Sequence, residues 1–307
     1  MGAAQSSVAA PASGPGTTAT REQHRMKFTL KRFVGATTLV LLAAGVAGCN
    51  SSNPASNSAS TASNSASSAS ASTSKGKVGS KVSADLMQTL STISRQSLAQ
   101  KREPAKVSLQ PVSGPALGSG YPVVLYIGAD FCPYCAALRW PLVVALLRFG
   151  TFDGLRYMRS SSTDVYADTV TFSFDGAQYH SDYIQFDAVD IADRQGHALN
   201  KPTDAQQAVF QQFDVAPYTK VPGAIPFVYF GGRYIEIASP FLPNLLSSLS
   251  WENVARQLKA GQTDLSNQVI AAANVYTAAI CSLTGGKPAS TCDSSAVKAI
   301  VSRLPNK

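Results

Sequence analysis

The chain has 307 residues, of which 45% are hydrophobic and only 14% charged, and its formal net charge is +8. This length and apolar content suffice for one large domain or two ordinary domains with a buried core. Residues 1–48 hold five of the basic residues and one acid, so the rest of the chain carries only +4. Because that charge is scattered and aromatic residues do not alternate with basic ones, we expect no nucleic-acid partner.

Residues 1–49 are typical of an export signal that follows a short extension. Basic residues after Met26 are followed by an uncharged, mostly apolar run over 33–47. A run of about 15 residues is too short for a membrane-spanning helix, which needs about 20, but it fits the core of a signal peptide. We therefore predict a lipoprotein signal peptide and lipobox over 26–49. Residues 1–25 are predicted to be an unstructured N-terminal extension, with Met26 as the alternative start.

The apolar run ends in Val46-Ala47-Gly48-Cys49, which resembles a bacterial lipobox. In such a motif the small residues fit a peptidase cleft, and the cysteine is lipidated on sulfur and becomes the mature N-terminus. The resemblance implies lipidation at Cys49 and a protein anchored to a bacterial membrane in the cell envelope, outside the cytoplasm. The alternative is an ordinary secretory signal in which the cysteine is coincidental.

A disordered linker rich in Ser, Ala and Asn is predicted over 50–78. Residues 50–74 contain only Ser, Ala, Asn, Thr and one Pro. Such a composition buries too little apolar surface to offset the entropy lost on ordering. As a coil, the segment would span on the order of 25–30 Å, which is enough to hold a domain clear of lipid headgroups.

Hydrophobic periodicity over 79–307 predicts one α/β domain with a helical C-terminal part. Its first elements are a helix near 82–99, a strand over 122–127, a helix over 136–149, a strand over 155–159, a hairpin over 170–180, a strand over 184–188 and a helix over 203–213. The remaining elements are a hairpin over 225–237 and helices near 241–249, 251–259, 265–281 and 294–304. The helix over 136–149 is apolar nearly all round, as expected of a buried helix, and Pro141 should kink it.

Cys132-Pro133-Tyr134-Cys135 lies where the predicted strand over 122–127 meets the following helix. The free N–H groups and the positive dipole end of a helix stabilise a thiolate, which is the form that attacks a disulfide. Pro133 suits the first helical position, where its missing N–H is no loss. We therefore expect a redox-active pair that needs no cofactor, with Cys132 as an exposed nucleophile and Cys135 as a more buried resolving cysteine.

A strand, CPYC, a helix that contains Pro141, and a distant X-Pro that begins a hairpin together resemble the thioredoxin superfamily. Glutaredoxins carry the same tetrapeptide. The resemblance implies a thioredoxin-like mixed sheet, and it implies that Pro226 is a cis-proline that faces the CxxC and holds the substrate chain. Pro141 resembles the proline of the superfamily's active-site helix, but it lies one position further from the first cysteine than in thioredoxin.

Three segments carry a closer resemblance, to a poorly characterised archaeal and bacterial family of thioredoxin-like proteins of unknown function. They are YIGADFCPYCAALRWPL, TFSFDGAQYHSDYIQF and AAICSLTGGKPASTC, and the resemblance covers roughly residues 82–304. About 90 residues separate Cys135 from Pro226, far more than a minimal thioredoxin needs, so we expect an insertion between the CxxC helix and the hairpin. Phe131 stands where thioredoxins place Trp, and the sequence has no glutathione-specific pattern.

Two other interpretations of the CxxC stay open. It could supply half of a zinc site, but the sequence offers no second CxxC and no HxxxH to complete one, so no metal is predicted. It could also be a structural disulfide without turnover. Asp130 and Tyr134 are candidate modulators of the thiols, although Asp130 could instead cap a helix or a turn, and Tyr134 could be simply an exposed aromatic residue.

Cys281 and Cys292 lie at the end of one predicted helix and before the next, on either side of a loop rich in Gly. A disulfide between them would join the two helices and contribute about 3 kcal/mol to stability. Because export favours oxidation, the pair is predicted to be a structural disulfide. The alternative is a second redox pair that exchanges with Cys132.

The sequence therefore predicts an extracytoplasmic thiol–disulfide oxidoreductase in which Cys132 attacks, Cys135 resolves and Pro226 holds the substrate. Its expected partners are protein thiols or disulfides, a redox protein that recycles the site, and the membrane through the lipid anchor. The direction of electron flow stays open, because oxidants, isomerases and reductants share this arrangement. The alternative is a non-catalytic thioredoxin-like lipoprotein that acts as a binding or metal-carrier module.

Overall fold

The computed structural model of the chain describes residues 76–100, 102 and 108–305. The predictions for the N-terminal extension, the signal peptide, Cys49 and most of the linker lie outside the described residues. The helices are α1 (Ala84–Gln96), α2 (Pro133–Leu146), α3 (Asp204–Phe213), α4 (Trp251–Ala260), α5 (Asp264–Leu283), α6 (Ala289–Cys292) and α7 (Ser295–Val301). The strands are β1 (Gln110–Pro111), β2 (Val123–Gly128), β3 (Gly150–Asp153), β4 (Arg156–Arg159), β5 (Val170–Ser173), β6 (Gln178–Ser181), β7 (Gln185–Asp190), β8 (Phe227–Phe230) and β9 (Tyr234–Ile237).

A five-stranded mixed sheet forms the centre of the fold, in the order β1-β9-β8-β2-β7. β2 runs parallel to β7 and antiparallel to β8, so that Val124 lies opposite Phe186 on one side and opposite Phe230 on the other. All six residues of β2 are buried, as expected of a strand that is apolar throughout and is covered on both faces of the sheet. The strand predicted over 122–127 and the hairpin predicted over 225–237 are confirmed.

Apolar cores lie on both faces of this sheet. Side chains alternate along β2, so that Val124 and Tyr126 enter the larger core while Leu125 and Ile127 enter a smaller one. In the larger core α5 packs along α2, and residues of α3 close the smaller core. The predicted fold class is confirmed: a thioredoxin-like mixed sheet with an insertion between the CxxC helix and the hairpin of Pro226, followed by C-terminal helices.

In the insertion between α2 and β8, the strand pairing differs from that of the hairpin predicted over 170–180. Asp175 and Gly176 form the expected turn, and Gly176 has a φ of 70°, which glycine tolerates. The strands on either side of the turn do not pair with each other, because β5 pairs with β4 and β6 pairs with β3. Gly154, with a φ of 79°, separates β3 from β4, so the two strands pair with different strands of the insertion. The hairpin prediction was therefore wrong in its pairing.

The C-terminal helices complete the larger core. α4 and α5 follow Ser250 and Thr263, whose side chains accept hydrogen bonds from backbone N–H groups of the first turn. The prediction of a helix over 241–249 was wrong, because the chain forms only a 3-10 turn over Pro243–Leu246. Ser248 has a φ of 57°, which ends this turn before an α-helix develops. Among the described helices, none has both the length and the hydropathy that crossing a bilayer requires.

A short segment before α1 runs beside β4, and we call it the lead-in (residues 79–82). Gly79 and Val82 donate backbone hydrogen bonds to the carbonyls of Tyr157 and Leu155, each at 2.8 Å. Tyr157 donates one back to Ser80 at 2.9 Å. The lead-in, which follows the predicted linker, is therefore hydrogen-bonded to the insertion and not to the central sheet.

Candidate active site

The CPYC motif lies at the N-terminus of α2, just after the chain leaves β2. Cys132 is the N-cap residue, with extended backbone angles of φ −79° and ψ 120°. Its Sγ accepts a hydrogen bond from the backbone N–H of Cys135 at 3.3 Å. Pro133 is the first residue of the helix. The sulfur of Cys132 therefore occupies the place of a capping oxygen, beside helix N–H groups that favour negative charge.

Both cysteines are buried, which corrects the expectation of an exposed nucleophile. Cys132 is only 6% exposed, and Cys135 is fully buried. Phe131, Ala192 and Ile225 pack around the pair, because the chain after β7 and the chain before β8 both reach over the start of α2. Access to Cys132 is therefore narrow, although Cys135 is the more buried of the two, as predicted.

The two thiols differ in acidity. A hydrogen bond with the Cys135 thiol lowers the pKa of Cys132 below its usual value, against the effect of burial, and the charge of Arg139 also favours the thiolate. Burial raises the pKa of Cys135 well above its usual value, and the neighbouring Cys132 adds to this rise. At neutral pH Cys132 therefore has the larger thiolate fraction, which a nucleophile needs.

Pro226 lies across from the CPYC motif, and the peptide bond between Ile225 and Pro226 is cis. The carbonyl oxygen of Ile225 is 3.8 Å from Cys132 Sγ, although the two residues are 93 positions apart in the chain. Phe227 then begins β8, which pairs with β2. The pairing of these two strands thus brings Pro226 to the two cysteines.

A buried ion-pair cluster of Asp130, Arg139 and Asp190 lies beside the motif. Arg139 is one helical turn beyond Cys135 and is fully buried. Its Nη2 lies 3.1 Å from Asp130 Oδ1 and also contacts Asp190 Oδ1. Ser173 Oγ donates a hydrogen bond to Asp130 Oδ2 at 2.9 Å. The alternative of Asp130 as a helix or turn cap was wrong, because its carboxylate faces this cluster.

The cluster contains two carboxylates and one guanidinium, so one negative charge is in excess when both acids are ionised. Burial raises the pKa of Asp130 to about 6; Arg139 opposes the rise, and Asp190 adds to it. Asp130 therefore changes its charge near neutral pH, two residues away from Cys132.

Sequence reasoning missed Arg139 and Asp190, although each left a signal. Arg139 is the only charged residue of α2, and a charge in a buried helix requires a partner. Asp190 ends β7 and lies opposite Gly128, the last residue of the parallel strand β2. Because the carboxyl ends of parallel strands meet at one edge of a sheet, Asp190 reaches the start of α2. That inference required the strand order, which the sequence alone did not provide.

An aromatic pair, formed by the exposed Tyr134 and the partly buried Tyr166, borders the motif on the side of the insertion. Tyr134 is 37% exposed, and its ring meets the ring of Tyr166 edge-on with 5.8 Å between centroids. Tyr166 belongs to the loop over 160–169, which joins β4 to β5. This loop is fixed to the motif by a hydrogen bond of 2.9 Å from the N–H of Ser161 to the carbonyl of Phe131. The insertion thus contributes directly to the surroundings of the CPYC site.

Cys281 and Cys292 form a disulfide that joins α5 to α6, with 5.6 Å between their Cα atoms. Both residues belong to the larger apolar core, whereas Cys132 and Cys135 belong to a separate small cluster. This placement suits a structural bond. The part of the chain that the structure describes holds no group of three or more His, Cys, Asp or Glu side chains placed to bind a metal ion.

One known family matches the region of the chain that contains this site. A family model described as a domain of unknown function (DUF929) matches residues 105–282. The matched region includes the CPYC motif, the insertion, Pro226 and Cys281. No curated protein and no solved structure matches the chain. The chemistry of the site therefore has to be argued from its own residues.

Proposed function

The chain belongs to the DUF929 family, and from that starting point we propose that it is a thiol–disulfide oxidoreductase of the thioredoxin superfamily that acts outside the cytoplasm. One observation carries the proposal. Cys132 is the thiol with the lowered pKa, and it lies at a helix N-terminus beside both Cys135 and the carbonyl of Ile225. A stabilised thiolate next to a second thiol is the arrangement that disulfide exchange requires.

In the proposed reaction the Cys132 thiolate attacks one sulfur of a substrate disulfide. A bond forms between Cys132 and that sulfur, the substrate disulfide breaks, and the other substrate sulfur leaves as a thiolate that takes a proton from water. Cys135 then loses its proton and attacks Cys132 Sγ, which forms the Cys132–Cys135 disulfide and releases the second substrate sulfur. The substrate is reduced by two electrons and the protein dithiol is oxidised. The reverse sequence oxidises a substrate dithiol.

Protein thiols or disulfides are the proposed substrates. Because Cys132 is only 6% exposed, a reacting sulfur has to approach past the aromatic pair on one side and the Ile225 carbonyl on the other. An extended chain segment can present a cysteine in this way, and the pair of Tyr134 and Tyr166 offers an apolar surface to its neighbouring side chain. A recycling partner is also needed, since each turnover leaves the motif in the opposite redox state.

The proposed location is the surface of a bacterial membrane, where a lipid on Cys49 would hold the protein. The VAGC string after an apolar run supports this location, and the disulfide between Cys281 and Cys292 supports an oxidising compartment. Labelled fatty acid should be incorporated into the wild-type protein and not into Cys49→Ser. Equal labelling of the two proteins would refute lipidation at this residue.

The main test of the activity replaces Cys132 by serine. The wild-type protein should catalyse both the reduction of insulin by dithiothreitol and the reactivation of a protein with scrambled disulfides, and Cys132→Ser should lose both activities. Cys135→Ser should accumulate a mixed disulfide with the substrate, detected by mass, because the first attack no longer leads to resolution. Cys49→Ser leaves the motif intact and is the control. Full activity of Cys132→Ser would show that the proposal is wrong.

The low exposure of Cys132 favours a second candidate function. A thioredoxin-like lipoprotein could bind a partner or carry a metal ion without turnover. In that case the motif should stay oxidised in mild reductant, or a metal ion should copurify with it. Alkylation of the intact protein with and without dithiothreitol, followed by mass measurement, counts the thiols that cycle. Two additional alkylated thiols after mild reduction would favour the oxidoreductase.

A further inference from the structure

Tyr126 lies in β2 close to the CPYC motif and is fully buried. Its ring meets that of Phe174 edge-on at 5.2 Å, and the guanidinium carbon of Arg139 lies 5.5 Å from its ring centre. These groups cover the ring, but within the described residues the Tyr126 hydroxyl has no hydrogen-bond partner. A buried hydroxyl without a partner destabilises a fold, so its presence here needs a reason.

Gly128 shows where this hydroxyl points. Residues 126 and 128 face the same side of the strand, and a Cβ added to Gly128 would lie 2.0 Å from Tyr126 Oη and 3.1 Å from Cys135 Sγ. The oxygen and the sulfur therefore cannot be further apart than the sum of these two distances. Glycine at this position leaves room for the hydroxyl, whereas the Cβ of any larger residue would displace it.

The hydroxyl is a hydrogen-bond donor at neutral pH, because burial raises the pKa of Tyr126 well above its usual value. A neutral thiol is a weak hydrogen-bond acceptor, whereas an ionised group such as a thiolate accepts stronger hydrogen bonds. Cys135 keeps its proton in the dithiol protein, because burial raises the pKa of Cys135 as well. The neighbouring donor therefore stabilises Cys135 most at the moment when this sulfur becomes a thiolate.

We propose that Tyr126 is a positioning residue that donates a hydrogen bond to Cys135 Sγ as this sulfur becomes a thiolate, and thereby promotes the resolving step. This inference rests on the proposed function. In the resolving step the Cys135 thiol gives its proton to water, its sulfur forms a bond with Cys132 Sγ, and the bond between Cys132 and the substrate sulfur breaks. The substrate sulfur leaves as a thiolate, and Tyr126 keeps its own proton throughout.

Charged groups also act on Cys135, so a test has to leave them unchanged. Arg139 on α2 favours the Cys135 thiolate. Asp130, before α2, and Asp190, at the end of β7, are the acids paired with that guanidinium. A replacement that removes only the Tyr126 hydroxyl keeps all three charges in place.

Tyr126→Phe is this replacement, and Tyr276→Phe is its matched control. Tyr276 lies on α5, is also fully buried, and has a hydroxyl that likewise lacks a partner among the residues that the structure describes. The two variants therefore lose the same atom from fully buried positions. Only Tyr126→Phe loses it beside a reacting sulfur.

The assay starts from the full chain with thionitrobenzoate joined to Cys132 as a mixed disulfide, and absorbance records its release by Cys135. Tyr126→Phe should slow the release about tenfold at neutral pH and move its pH profile upward by about one unit, because a hydrogen bond to a charged acceptor is lost. Tyr276→Phe should match the wild-type protein. A 3-fluorotyrosine at position 126 is a stronger donor, so it should speed the release and move the profile downward.

An unchanged profile in Tyr126→Phe, or an equal shift in Tyr276→Phe, would overturn the proposal. If Tyr126→Phe does not fold, the fluorotyrosine protein decides: faster release at lower pH supports the hydrogen bond, and a profile identical to that of the wild-type protein refutes it. The assay requires no protein substrate. A protein that is inactive towards insulin but shows the expected shift would therefore disprove the proposed function and leave the role of Tyr126 standing.

Discussion

Replacing Glu236 by glutamine should remove a loss of stability that the wild-type protein suffers as the pH rises. Glu236 belongs to β9 and is only 4% exposed, and the hydroxyl of Ser108 donates a hydrogen bond to its carboxylate. Burial raises the pKa of Glu236 from 4.5 to about 7, and the hydrogen bond from Ser108 offsets only part of this rise.

The size and sign of the effect follow from the raised pKa. One pKa unit corresponds to about 1.4 kcal/mol, so ionising Glu236 destabilises the folded state by about 3 kcal/mol relative to the unfolded chain. The favourable contribution of the neutral carboxyl is fully present below the unfolded pKa of 4.5 and is lost as the pH rises through about 7. The glutamine variant has no such titration.

Urea unfolding of both proteins at about pH 4, 6 and 9 measures this effect. The free energy of unfolding of Glu236→Gln, minus that of the wild-type protein, should increase by about 3 kcal/mol from the lowest to the highest pH. Taking the difference cancels the titration of Asp130, which both proteins share. A constant difference for Glu236→Gln would refute the reasoning.

Three further predictions concern the disulfide and the surroundings of the motif. Replacing Cys281 and Cys292 together by serine should lower the free energy of unfolding in urea by about 3 kcal/mol and leave the number of reactive CPYC thiols unchanged; an unaltered unfolding midpoint would contradict a stabilising bond. Asp130→Asn should remove an inflection near pH 6 from the pH profile of Cys132 alkylation, because the ionised carboxyl disfavours the nearby thiolate above that pH. If the inflection persists, another group causes it. Tyr166→Ala should raise the KM for a cysteine peptide with an aromatic neighbour several-fold and leave the reaction with a small aromatic disulfide unchanged; equal losses with both would point to damage at the thiols.

The position of the CPYC motif could be predicted because its determinants are local. An apolar run followed at once by Cys-Pro-x-Cys specifies a buried strand that meets a helix N-terminus, with Pro133 in the first turn. The hairpin of β8 and β9 is equally local, since Gly231 and Gly232 have φ values of 50° and 83° between two apolar runs. The place of Pro226 opposite the motif came only from the family resemblance, because the partners are far apart in the chain.

The features that could not be predicted depend on contacts between distant segments. Arg139 and Asp190 are 51 positions apart, so their pairing required the parallel register of β2 and β7. The burial of Cys132 depends on chain segments that reach the site from beyond β7 and from before β8. The sequences of the strands on either side of the Asp175–Gly176 turn alternate in hydrophobicity. This alternation does not indicate that each of the two strands pairs with a strand that precedes the turn.

The lead-in beside β4 has a mechanical consequence. In a protein held at its N-terminal end, tension enters the fold through residues 79–82, and the backbone hydrogen bonds to Tyr157 and Leu155 bear it first. Arg156 reinforces them by donating a hydrogen bond of 2.9 Å to the carbonyl of Gly79. β4 pairs with β5 in a two-stranded sheet that is separate from the central one. Tension would therefore separate the lead-in from β4 before it deformed β2. The distance between Cys132 Sγ and Cys135 Sγ would stay unchanged while the lead-in separates.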